Sequence, residues 1–139
     1  FTRGRFGEPV PAAPLARPPG DTGPQVAAWT MADADHWRFG RLTGDYNGIH
    51  LWDWYARRLG FQRALYHPPR VLGECLARMP RPAGLGDRDG RVRLDAWIKG
   101  PVPHGASVRL HAGTNGTATT FALFAGEERP CIVGRLEVP

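Results

Sequence analysis

From residue 91 to the C-terminus the chain alternates. Val92, Leu94, Ala96 and Ile98 are interleaved with Arg91, Arg93, Asp95 and Trp97, and Ala106, Val108, Leu110 and Ala112 with Ser107, Arg109 and His111. A period of two places one set of side chains on each face of a strand, so both runs predict half-buried strands, their apolar members inward. A turn over 101–105 separates them, and Asn115-Gly116 is a strong hairpin signal that leads into a strand over 117–124. Gly126-Glu127-Glu128 turns the chain into a last strand over 130–138.

Upstream the period is helical. Val71, Leu72, Cys75, Leu76 and Met79 form one apolar stripe, predicting a helix over 67–79. Pro68 and Pro69 suit its first turn, where a missing N–H leaves nothing unpaired, and Pro80 and Pro82 end it. Gly73 on this helix is expected to admit a strand or ligand at close range. Leu51, Trp54, Tyr55 and Leu59 predict a shorter helix stopped by Gly60. A strand over 26–30 and a helix through His36, Trp37 and Arg38 to Leu42, capped by Thr30 or Asp33, precede it. Helices followed by an antiparallel meander make an α+β layout. Residues 1–25 hold Pro9, Pro11, Pro14, Pro18, Pro19 and Pro24 and read as an extended or disordered lead-in, leaving 26–139 as one domain.

Composition narrows the possibilities. The chain has 139 residues, 42% hydrophobic and 22% charged, as expected of one ordinary globular unit. No apolar run approaches the roughly 20 residues of a membrane span and no signal-peptide core is visible, which points to a cytoplasmic protein with no membrane partner. The formal charge is +5, but the basic residues, of which only Lys99 is a lysine, are dispersed. No basic strip interleaved with aromatics suggests a nucleic-acid partner. Cys75 and Cys131 form no metal pattern, and Cys75 lies within the apolar stripe as a buried thiol. Ser107, the single serine, sits in a strand, which argues against a serine nucleophile. No phosphate loop and no metal-ligand cluster is apparent, so no cofactor or metal is expected.

The chemistry-bearing stretch is Thr43-Gly44-Asp45-Tyr46-Asn47-Gly48-Ile49-His50. Asp45 and His50 would diverge on a regular helix, but a bend using Gly44 and Gly48 at positive φ can aim both at one water. A carboxylate then orients and an imidazole transfers protons. The same spacing also fits Asp45 and Asn47 as turn caps with His50 packing. His36, His104 and His111 read as surface or turn histidines, and Asp53 as a surface charge. His67, held extended before a proline, is either structural or a second acid or base at a pocket mouth.

Order and motifs together resemble the MaoC-like, (R)-specific enoyl-CoA hydratase family. That family has a pattern close to S-G-D-x-N-P-x-H, then a short helix, a Gly-Phe, and an H-G opening the central helix. Matching residues are 43–50, Tyr55-Ala56-Arg57, Gly60-Phe61, His67-Pro68 and Ile98-Lys99-Gly100-Pro101-Val102. The resemblance implies a hot-dog fold, an antiparallel sheet wrapped around a central helix, in a homodimer with acyl-thioester tunnels near the interface. It assigns Asp45 and His50 to water addition or removal on a 2-enoyl or 3-hydroxyacyl thioester of CoA or acyl-carrier protein, with Asn47 bracing the loop. Two positions depart from the pattern: Gly48 replaces a proline, and Pro68 replaces the glycine whose N–H polarises the thioester carbonyl. The amides of Arg70 or Val71 at the helix N-terminus are the candidate substitutes. A hydro-lyase, a different thioester step such as hydrolysis or ring closure, and a non-catalytic acyl-binding subunit are the three readings that follow.

Overall fold

The computed structural model describes residues 17–32, 35–86, 91–126 and 129–138. Five antiparallel strands form one sheet: β1 (Gln25–Thr30), β2 (Arg93–Ile98), β3 (Ser107–Asn115), β4 (Ala118–Phe124) and β5 (Ile132–Glu137), in the order β1-β3-β4-β5-β2. Between β1 and β2 the chain forms α1 (His36–Thr43), α2 (Gly48–Leu51), α3 (Asp53–Arg58) and α4 (Pro68–Arg78). Among the described residues no helix is long and apolar enough to cross a membrane.

The central helix lies where its stripe predicts, with His67 and Met79 as its caps. Val71, Cys75 and Met79 pack on Val108, Leu110, Phe121, Leu123 and Ile132 of the inner sheet strands. Burial in this apolar layer raises the Cys75 thiol to about 12, so it is an inert core residue. Gly73 faces outward with nothing near its Cβ position, contrary to the close approach expected of it. Thr119 is fully buried in the core, and its hydroxyl donates to the carbonyl of Pro80 at 3.2 Å.

The alternation in β2 is real, but its expected burial is not. Leu94, Ala96 and Ile98 pair with Leu136, Gly134 and Ile132 and so share their core-side face, yet all three are exposed, as is Val92. β2 is an edge strand, and α4 covers the centre of the sheet without reaching it.

Residues 1–16 of the proline-rich lead-in, Asp33 as a cap, and Glu127-Glu128 of the turn lie outside the described residues. The lead-in's described end is ordered along the sheet. Ala112 donates its N–H to the Pro24 carbonyl and Thr120 its hydroxyl to that of Asp21. Asp35, at a left-handed φ of 65°, is the N-cap of α1, and Thr30 belongs to β1.

The tip of the Phe121 ring packs on its cross-strand partner Gly134, where an added Cβ would clash with it. Gly134→Ala must displace a fully buried aromatic ring in a close-packed core. We expect a loss of about 1–3 kcal/mol, read as a lower denaturant midpoint with an unchanged slope.

Candidate functional site

The loop from α1 to α2 is shaped by its small and polar residues. Gly44 ends α1 at a φ of 74°, which glycine adopts without steric cost, and its N–H caps the Gly40 carbonyl. Gly48 has no positive φ, contrary to the reading of a hinge at both glycines. Its role is spatial, because a Cβ there would come within 3.0 Å of the Trp52 and Tyr55 rings. Asp45 Oδ1 accepts the Asn47 N–H at 3.1 Å, and Asn47 Oδ1 accepts the Ile49 N–H at 3.2 Å as the N-cap of α2. The capping reading of these residues is therefore correct, and it leaves the second carboxylate oxygen available.

That oxygen, Asp45 Oδ2, lies 3.7 Å from His50 Nε2. The Asp45 side chain is 46% exposed and that of His50 12%. His50 Nδ1 is 2.9 Å from the Leu65 carbonyl. A carbonyl only accepts, so Nδ1 carries a proton and Nε2 is the ring nitrogen that faces Asp45. Leu65 is held in place in turn: its N–H donates to the Ile49 carbonyl, and it bridges Pro103. Asp53 contributes here, accepting the Ala64 N–H at 2.8 Å. That bond, followed by nearby Arg63 and Arg57, holds its carboxyl below the usual range, so Asp53 anchors a loop rather than being a plain surface charge.

His67 joins the pair from the start of α4. It is extended, as a residue before proline must be, and only 1% exposed. Its ring stacks on His50 with centroids 4.2 Å apart, and Nε2 donates to the Asp45 carbonyl at 3.2 Å. Spacing in the sequence shows no metal-ligand cluster, but the fold assembles three possible donors, with one ligand atom each of Asp45, His50 and His67 within 4.8 Å of one another. Burial, with the nearby His50 adding to it, lowers the His67 pKa from its ordinary 6.5 despite the bond to Asp45. A depressed histidine pKa means the unfolded chain binds the proton more readily. Stability is thus full above the unfolded value and falls as pH drops below about 6.5 towards the folded pKa. Urea midpoints measured between pH 7 and 5 should decline less steeply in His67→Gln, which retains a donor for the Asp45 carbonyl.

An apolar cavity of about 290 Å³ opens beside His50. Phe61, Leu65, Tyr66, Pro68 and Val71 form one wall, and Ile98, Val102 and Ile132 the other. The sequence marked Pro68 and Val71, and Ile98 and Val102 within a matching motif; Ile132 was missed because alternation cannot tell which strand end meets the helix. A larger open groove of about 490 Å³ runs along β1 and β3 at Ala28, Ser107 and Arg109, away from the acid–base pair.

The start of α4 does not supply the expected carbonyl donors. Pro68 and Pro69 have no N–H, and the amides of Arg70 and Val71 both donate to the His67 carbonyl, at 3.0 and 3.2 Å. The Arg70 guanidinium lies 4.9 Å over the Tyr66 ring. His104 lies in its expected turn but is not a surface residue. It is buried, stacked on His36 at 3.9 Å and edge-on to Tyr66, behind the cavity wall. His36 and His111 are half-buried, the latter bonding the Gly23 carbonyl from β3.

No family model and no curated protein matches this chain. Its fold does match solved structures. HtdX from Mycobacterium tuberculosis is similar at a TM-score of 0.68 and 22% identity over 89% of this chain and 49% of that one. A MaoC-like dehydratase from Phytophthora capsici gives 0.65 and 20% over 96% and 45%. The (R)-hydratase from A. caviae involved in PHA biosynthesis gives 0.59 and 18% over 86% and 97%. The chain thus spans about half the length of the first two and nearly all of the third. These likenesses identify the α+β architecture as the hot-dog fold found in MaoC-type hydratases and dehydratases.

Proposed function

We propose that this hot-dog chain is a hydro-lyase that adds water to a 2-enoyl thioester, or removes it from the 3-hydroxyacyl thioester, on CoA or acyl-carrier protein. The observation that carries the reading is the 3.7 Å approach of Asp45 Oδ2 to His50 Nε2, at an apolar cavity sized for a short acyl chain. Asp45 accepts one hydrogen of a water and orients it. His50 Nε2 takes the other proton as the water oxygen bonds to C3 and the C2–C3 π bond opens. The Nε2–H then returns that proton to C2, so one water is consumed and the histidine regains its starting form. Asn47 holds the loop that carries Asp45, and His67 packs behind His50. The test is loss of enoyl absorbance when the purified chain meets a short 2-enoyl-CoA or its acyl-carrier-protein counterpart. No conversion in either direction on either carrier would end this reading.

One observation favours a second reading. With no free amide at the start of α4, an enolate-like carbonyl oxygen lacks the usual donor there. A thioester step other than hydration, or acyl binding without turnover, fits that absence.

The assembly proposed is a homodimer. Both sheet edges, β1 and β2, are open, and β2 leaves Leu94 and Ile98 uncovered beside the cavity. Trp37, Trp52 and Trp54 form a second exposed apolar cluster. Such surfaces are characteristic of interfaces. Light scattering should report twice the 15.3 kDa chain mass; a monomer at micromolar concentration contradicts the proposal.

A further inference from the structure

We propose that Asp45, His50 and His67 bind a first-row divalent cation such as Zn²⁺, which blocks the site when it occupies it. The inference concerns binding and holds whether or not the chain is a hydratase. Three donors of the types zinc prefers, one carboxylate oxygen and two imidazole nitrogens, already lie within 4.8 Å of one another. In a tetrahedral site with metal–donor bonds of about 2.1 Å, donors sit about 3.4 Å apart. The Asp45 Oδ2 to His50 Nε2 separation is 3.7 Å, and the half-exposed Asp45 side chain can rotate to close the remainder.

The surroundings are those of a ligand set. A metal-bound histidine characteristically donates its other ring N–H to a carbonyl or carboxylate, which orients the ring and raises its basicity. His50 does this through Nδ1 to the Leu65 carbonyl. Asp45 Oδ1 is committed to the Asn47 N–H, leaving Oδ2 as the ligating oxygen. His67 commits its Nε2–H to the Asp45 carbonyl and so offers Nδ1, and its ring has to turn out of the stack on His50 for both in-plane lone pairs to meet one ion. Three protein ligands leave a fourth position open to water. The thiols do not compete, since Cys75 and Cys131 are buried and burial raises both. A cation here takes the Nε2 lone pair that would otherwise accept a proton from water.

The experiment is calorimetric titration of ZnCl₂ into the full chain near neutral pH in a non-chelating buffer, with Co²⁺ absorption as a second readout. We expect one ion per chain, tetrahedral-type visible bands with Co²⁺, and at least tenfold weaker binding in both Asp45→Asn and His67→Gln. Asp45→Asn alters an exposed group and preserves shape, so it remains informative if His67→Gln folds poorly. Absence of stoichiometric binding, or equal affinity in wild type and Asp45→Asn, overturns the proposal. If hydration is present, it should be lost on adding Zn²⁺ and restored by EDTA. Hydration without zinc binding refutes only the metal site, and zinc binding without hydration only the hydratase reading.

Discussion

On the hydratase reading, Asp45→Asn and His50→Ala should each lower turnover of a 2-enoyl thioester by about 10²–10⁴, the usual size of an acid–base contribution. The amide of Asn still accepts a hydrogen bond but no longer carries the charge that orients water and stabilises a protonated His50. Alanine removes the proton carrier itself. Binding of the acyl chain should change little in Asp45→Asn, because Asp45 is not among the residues that line the cavity; His50 is, so His50→Ala also trims one edge of it. The two side chains lie 3.7 Å apart and on this reading share one water, so the double variant should be scarcely slower than the worse single one. Steady-state kinetics with circular dichroism as a folding control measures this. Additive losses, or a loss confined to KM, would show that the pair does not work as a unit in the chemical step.

Pro68→Gly runs in the opposite direction. It restores an N–H at the first position of α4, beside the cavity and next to His67. A single oxyanion donor is worth about 10²–10³ in rate, so hydration should rise by up to that factor if the missing donor is the only deficit. A modest cost in stability accompanies it, because proline suits the first helical turn and glycine is the more flexible residue in the unfolded chain. A folded Pro68→Gly chain that remains inert, beside an inert wild type, leaves the second reading in possession: another thioester step, or acyl binding alone.

Local pattern was sufficient for most elements. The apolar stripe from Val71 to Met79, bracketed by prolines, placed α4 to within a residue at each end, because a helix that buries one side must repeat its apolar residues every three or four positions. Strands β3 and β4 and their hairpin followed from alternation and Asn115-Gly116 in the same way. Asp45 and His50 were legible because their chemistry sits in one short stretch whose glycine and Asx turns are local interactions.

What depended on distant parts of the chain was not legible there. Alternation in β2 identified a strand but not that it lies at the sheet edge beyond α4, which is why Leu94 and Ile98 are exposed. The turn that holds His104 was legible but its burial was not, because burial depends on what crosses it, here His36 and Tyr66. The proton position on His50 depends on the carbonyl of Leu65, fifteen residues away, and the third donor at the site comes from His67, twenty-two residues after Asp45. The amides of Arg70 and Val71 are a local matter by contrast: both close the first turn of α4 on the carbonyl of its cap His67, three and four residues back. Sequence by itself determined which residues can do chemistry and which segments are helix or strand, since both follow from side-chain type and short-range periodicity. Only the tertiary structure decided which ring nitrogen faces the site and which apolar face is left uncovered, because each depends on a partner that packing brings from elsewhere in the chain.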